Sequence, residues 1–189
     1  MNYIIFDLEA TCGWPNEHRQ SEIIEIGAVK VTHVNNELKV VDEFQTFVKP
    51  ILNPELTDFC KRLTHIQQED VDNAPLFPKA FAEFRTWIGF DKPFVLCSWG
   101  HYDKKQLKQD IKLHTGLDSD WLDNCHISIK HQHGQMIGVP KGVGMQKALE
   151  MLGIPLEGTH HRGIDDARNI AKIFIRIFDN LKFPAAIRR

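Results

Sequence analysis

The sequence has no apolar run near the ~18–20 residues that a membrane span needs, so no segment is expected to cross a bilayer. It has little excess of either charge. Its 23 basic and 25 acidic residues give a net −2, which excludes a chain coated with basic side chains for duplex binding. Cysteine is sparse: Cys12, Cys60, Cys97 and Cys125 form no CxxC pair, which argues against a zinc ribbon. The opening residues have no basic segment and meet Asp7 after four apolar residues, so no secretory signal is expected. Reduced thiols and a cytoplasmic location follow as expectations. Repeats, low-complexity tracts and linkers are also missing. With 42% apolar and 25% charged residues, the 189-residue chain has an ordinary globular composition rather than a disordered one.

Apolar periodicity predicts strands over 2–8, 23–31 and 38–48, the last two joined by a turn at Asn35-Asn36. Helices are predicted over 55–63 and 77–90, then a buried strand over 94–97 and a helix over 101–115. Residues 117–141 read as irregular around a short apolar core at 125–129. Helices over 143–152 and 164–181 end the chain. Strands first, then strands alternating with helices, point to one α/β domain with a mixed central sheet flanked by helices. We expect that domain to span residues 1–182, with 183–189 as a basic tail.

Acids stand where core residues are expected. On the first strand Tyr3, Ile5, Asp7 and Glu9 share one face, which places two carboxylates about 7 Å apart at the backbone. A strand running out into solvent explains one such acid better than two, because like charges repel. In the last helix the stripe Ala167, Ile170, Ile173, Phe174, Ile177, Phe178 and Leu181 extends back to Asp166. Asp165 points about 100° away and suits the helix dipole. Asp103 begins a third stripe with Leu107 and Ile111; alone, it reads equally well as a helix-start acid. Four inward acids from three segments suggest a hard divalent cation, Mg²⁺ or Mn²⁺, rather than zinc.

His160-His161 precede the last helix, and two pairings five residues apart are open: His160 with Asp165, or His161 with Asp166. The stripe favours Asp166, and with it His161 as a base that takes a proton from water. His160 then reads as a surface loop residue. Cys125-His126 and His131-x-His133 match no standard zinc spacing.

Three segments carry a resemblance: Phe6-Asp7-Leu8-Glu9-Ala10-Thr11-Cys12, Ser98-Trp99-Gly100-His101-Tyr102-Asp103, and His161-Arg162-Gly163-Ile164-Asp165-Asp166-Ala167-Arg168-Asn169-Ile170. In this order and spacing the sequence resembles the DEDDh group of 3′-to-5′ exonucleases, which have a ribonuclease H-like fold. Within the group it looks most like the histone-mRNA and RNA-interference exonucleases and their bacterial relatives. That closer likeness rests on Glu22-Ile23-Ile24-Glu25-Ile26-Gly27-Ala28, Phe47-Val48-Lys49-Pro50 and the segment from Leu56 to Ile66, and it runs over about residues 3 to 178. His65 departs from the glycine expected there.

The resemblance implies that Asp7, Glu9, Asp103 and Asp166 hold two ions ~3.5–4 Å apart and that His161 is the general base. It implies substrate contacts from Ala10, from Thr11 beside the terminal sugar, and from Phe59 and Tyr102 at the terminal base, where stacking contributes ~1–3 kcal/mol. Phe59 reads equally well as a packing residue. Trp14 and Trp99 are further loop candidates. Arg168, Lys172 and Arg176, followed by Lys182, Arg188 and Arg189, form a basic row that either guides a backbone or is simply a solvated face. The implied activity is release of 5′-mononucleotides from single-stranded RNA or 3′ overhangs, with DNA not excluded. Oligoribonuclease, DNA exonuclease and non-catalytic RNA-binding readings remain as alternatives.

Overall fold

The computed structural model describes residues 1–13 and 20–184. Its elements are β1 (Asn2–Ala10), β2 (Ile23–Val34), β3 (Glu37–Phe47), α1 (Asp58–Thr64), α2 (Gln68–Asp72), α3 (Phe77–Ile88), β4 (Phe94–Ser98), α4 (Tyr102–Thr115), α5 (Trp121–Cys125), β5 (His126–Ser128), α6 (Ile129–Met136), α7 (Met145–Met151) and α8 (Gly163–Ile177). The strands form one mixed sheet in the order β3-β2-β1-β4-β5. β1 is central, antiparallel to β2 and parallel to β4. The β2–β3 hairpin turns at Asn35 and Asn36, both at positive φ, the backbone that a tight two-residue hairpin demands.

Side-chain alternation along β1 divides the core. Ile4, Phe6 and Leu8 pack against Phe81 and Phe84 of α3 and Leu107 and Ile111 of α4. Tyr3 and Ile5 pack on the other face, against Ile170 and Phe174 of α8 and Leu149 of α7. Asp7 and Glu9 continue this second face, so the strand's own periodicity aims them toward α8. Phe183 closes the same layer, with its ring 5.3 Å from Tyr3. Among the described residues no helix is long and apolar enough to cross a membrane.

The expected architecture is present, with local corrections. Residues 117–141 are not irregular: they contain α5, the short strand β5 parallel to β4, and α6. Helix α6 is poor in apolar residues and begins where the Ser128 hydroxyl accepts from the His131 N–H, so local capping rather than periodicity marks it. Helix α1 starts later than expected because Thr57 caps it, accepting from Cys60 N–H at 3.0 Å. The last helix gives way at Phe178 to a single 3₁₀ turn. His65 ends α1 at φ +60°, the left-handed cap that glycine adopts most easily, which accounts for the residue expected at that position.

The seat of α8 on the sheet is set by two glycines. A Cβ on Gly27 would lie 2.1 Å from the carbonyl carbon of Gly163. Gly163 itself approaches the backbone oxygen of Asp7, which would lie 3.1 Å from an added Cβ. Backbone meets backbone here, so no side chain is available to yield. Gly27→Ala is therefore expected to lower stability by ~1–3 kcal/mol, the usual cost of overpacking, and to lift the start of α8 from the sheet. Denaturant melts and a metal-binding titration of the variant measure both effects.

Candidate active site

Pairing between β1 and β4 ends at Ile5 and Cys97. Beyond that point β1 would expose unpaired N–H groups, and α4 supplies one partner: Leu8 N–H donates to Asp103 Oδ1 at 3.2 Å. Asp103 is thus fixed to the strand that carries Asp7 and Glu9. From the opposite side α8 brings Asp166. Oxygens of Asp7, Glu9 and Asp166 lie within 4.8 Å of one another. Asp103 joins them in lining an open cavity of about 320 Å³, together with Tyr102, Trp99, His160 and His161.

The acids are in electrostatic conflict. Burial, then the charges of Asp103, Glu9 and Asp166, raise the Asp7 carboxyl well above its ordinary range. Glu9 is raised from 4.5 to about 9, first by burial and then by Asp166, Glu25 and Asp103. Asp103 rises to about 6 through burial, opposed by hydrogen bonds from Leu8, its own backbone and Ser98. Among the described residues, no Lys or Arg lines this cavity. Hard oxygens without a thiolate, held together against repulsion, are a donor set for a hard divalent cation.

The histidines are arranged differently from the sequence expectation. His161, at φ +64°, donates its backbone N–H to Asp166 Oδ2 at 3.0 Å, while its ring lines the cavity. The imidazole that touches Asp166 is that of His160, with Nδ1 3.0 and 3.1 Å from the two carboxylate oxygens. The two rings stack with centroids 3.9 Å apart. Burial and the neighbouring His160 hold the His161 pKa below its ordinary 6.5. Asp165 is outside the cluster, as its helix position suggests. It closes the preceding turn by accepting from Thr159 N–H at 2.9 Å and pairs with Arg168.

Sequence reasoning missed the clamp beneath this turn. Glu25 of β2 lies opposite Glu9 and is fully buried. Its carboxylate accepts from Gly163 N–H at 3.0 Å, Arg162 Nε at 3.2 Å and Gln45 Nε2 at 2.7 Å. It ties the His161 turn and the start of α8 to the sheet. The Glu25-Ile26-Gly27 run held the signal, since an acid inside an otherwise apolar strand, on the same face as a glycine two residues on, needs an explanation.

The remaining candidates are distributed around the cavity. Tyr102 lines it with its ring largely exposed. Trp99 lines it too, anchored by Nε1 donating to Val143 O at 3.2 Å. Ala10 and Thr11 are buried next door. The Thr11 hydroxyl accepts from Glu22 N–H at 2.9 Å and belongs to a smaller pocket shared with Cys12 and Leu56. Phe59 is half-buried on α1, whose N-terminal cap is tied to the same segment by Thr57 Oγ1 donating to Cys12 O at 2.6 Å. Cys12 and Cys60, distant in sequence, pack in one cluster there, and Cys60 Sγ donates to Ala10 O at 3.7 Å. Arg168 and Lys172 pair with Glu43 and Glu157, which neutralises that part of the row. Cys125, His126, His131 and His133 form no shared donor cluster among the described residues. Trp14, Arg188 and Arg189 lie outside the described residues.

A family model described as Exonuclease, RNase_T, matches residues 4–174. The chain belongs to the RNase T exonuclease family. Within this family it is similar to 3′-5′ exoribonuclease 1 of Mus musculus, 33% identical over 93% of this chain and 52% of the relative. It also resembles the 3′-5′ exonuclease eri1 of Schizosaccharomyces pombe, 30% identical over 95% of this chain and 69% of the relative. The chain thus spans about half the length of the mouse relative. Among solved structures, the nuclease domain of 3′hExo, a DEDDh family member bound to rAMP, superposes with a TM-score of 0.87. Its identity is 32%, covering 96% of this chain and 95% of that one. The fold is the ribonuclease H-like exonuclease fold of the DEDDh group.

The raised carboxyl groups give this family member a pH signature. A carboxyl whose folded pKa exceeds its unfolded value stabilises the fold below the unfolded pKa, and that contribution is lost as pH rises through the folded one. For Glu9 the window runs from 4.5 to about 9. The metal-free protein is therefore expected to melt lower at pH 8 than at pH 5. Mn²⁺ should raise the melting temperature more at pH 8, where the acids are closer to ionised, and calorimetry at both pH values checks this.

Proposed function

We propose that this chain is a metal-dependent 3′-to-5′ exonuclease that shortens single-stranded nucleic acid, RNA in preference to DNA, releasing one 5′-mononucleotide per turnover. The observation that carries this reading is the convergence of Asp7, Glu9 and Asp166 oxygens within 4.8 Å, in a cavity also lined by Asp103 and His161. The names 3′-5′ exoribonuclease 1 and eri1 exonuclease of the relatives support the direction of attack, and the first supports RNA. We place the protein in the cytoplasm.

In this reading Asp7, Glu9, Asp103 and Asp166 hold two divalent ions, Mg²⁺ or Mn²⁺. Ions bound there neutralise the scissile phosphate and the leaving oxygen and make water easier to deprotonate. The four acids supply the negative charge that holds the ions, and the frame keeps the acids together despite their repulsion. His161, uncharged at neutral pH, accepts the proton of the attacking water at a ring nitrogen. The water oxygen then attacks the last phosphodiester in line, and the penultimate 3′ oxygen leaves. Tyr102 stacks on the terminal base, and sequence tolerance follows because every base has a π face. Ala10, Thr11 and Phe59 form the neighbouring wall that receives the terminal nucleotide.

The decisive assay uses 5′-labelled single-stranded RNA and its DNA twin with Mn²⁺, Mg²⁺ or EDTA. A ladder shortening by single nucleotides, faster on RNA and stopped by EDTA, is expected. No shortening of either strand with any metal would move the reading to a non-catalytic RNA-binding module. Asp7→Asn, Asp103→Asn and Asp166→Asn should each lower kcat by about 10²–10³-fold while circular dichroism stays unchanged, since removing one charge-stabilising group costs on that order.

The pH profile tests His161 separately. Its base form is required, so the rate should fall as pH drops through a pKa below the ordinary imidazole value of ~6.5. His161→Ala should lose 10²–10⁴-fold in rate and this acid limb with it, on the order of a general base's contribution.

A further inference from the structure

We propose that His160, His161 and Asp166 form a binding site for a borderline transition cation, with Zn²⁺ as its probe, separate from the all-carboxylate sites above and exclusive with them because Asp166 is shared. One donor atom from each of the three residues lies within 4.8 Å of the other two. His160 Nδ1 already stands 3.0 and 3.1 Å from the Asp166 oxygens. The imidazoles stack, 21° apart with centroids 3.9 Å apart, so the two rings are neighbours and must tilt apart for their in-plane lone pairs to meet on one ion.

The arrangement is built by the backbone rather than by chance contact on a surface. His161 sits at φ +64° with its N–H on Asp166, and Arg162 N–H donates to Thr159 O at 3.2 Å, closing the turn. Two imidazoles and one carboxylate, with room for a water, are the donor types of zinc sites. Mg²⁺ prefers oxygen ligands and retains its waters, so it gains little from this set. Donors on one tetrahedral zinc stand about 3.3 Å apart at the usual Zn–N length, and rotation of the two rings about their side-chain bonds, out of their stack, closes the remaining gap. Zinc replaces the His160–Asp166 hydrogen bond with two coordinate bonds.

The consequence for turnover rests on the proposed nuclease reading; the binding itself does not. Zinc seated here takes Asp166 from the ions that the nuclease uses, so it should inhibit in competition with Mg²⁺.

Calorimetric titration of the full chain with Zn²⁺ in Mg²⁺ buffer tests the site without substrate. One equivalent is expected to bind the wild type, and His160→Ala, His160→Gln and His161→Ala should each weaken it at least tenfold. The glutamine variant keeps a polar side chain beside Asp166, and its melting curve shows whether it is folded. In the nuclease assay, the zinc needed to halve each protein's own Mg²⁺-supported rate should rise at least tenfold in both His160 variants. Folded His160 variants that bind zinc like the wild type, or a wild type that takes none, would overturn the proposal. Zinc binding lost in these variants of a chain that releases no nucleotides would leave this site standing and sink the nuclease reading instead.

Discussion

The close seat of α8 on the sheet is the constraint on which the rest of the site depends. Asp7 and Glu9 come with the strand, and Asp103 comes with a hydrogen bond to that strand. Asp166 arrives only because Gly27 and Gly163 let two backbones meet. Glu25 holds that contact through Gly163 N–H and Arg162. A side chain at Gly27 pushes α8 from the sheet and separates the acids, and the cluster loses the arrangement that makes a cation worth binding.

Burial and mutual repulsion work against this cluster, and the fold holds it regardless. The raised Asp7 and Glu9 carboxyls record that opposition. Core packing on both faces of β1 supplies the rigidity that resists it. In the proposed reading the same opposition is what gives the site its affinity for divalent ions and its tolerance of a phosphate that bare carboxylates would repel. The histidine turn adds nitrogen donors on the rim, so one acid, Asp166, faces two kinds of chemistry.

Much of this was legible in the sequence. The period-2 alternation of Tyr3, Ile5, Asp7 and Glu9 and the 3.6-residue stripe ending at Asp166 are local patterns, and they survive folding unchanged. The rest depends on contacts between distant segments. Glu25 looks like a polar residue of an ordinary strand until α8 docks on it. His160 looks like a loop residue until the left-handed backbone at His161 turns it toward Asp166. Thr11 reads as a sugar contact, and only the fold shows that its hydroxyl also accepts a backbone N–H from Glu22 while keeping its own hydrogen to donate. Helix α6 was hidden because Ile129–Met136 is mostly polar and carries a glycine.

The central claim is that these acids are held together as a cation site. Electron paramagnetic resonance of free Mn²⁺, titrated at pH 8 against the wild type and Asp7→Asn, tests it most directly. The account predicts that the wild type removes Mn²⁺ from solution and that Asp7→Asn does so at least tenfold more weakly while remaining folded. Equal uptake by the two proteins, or none by the wild type, would contradict it.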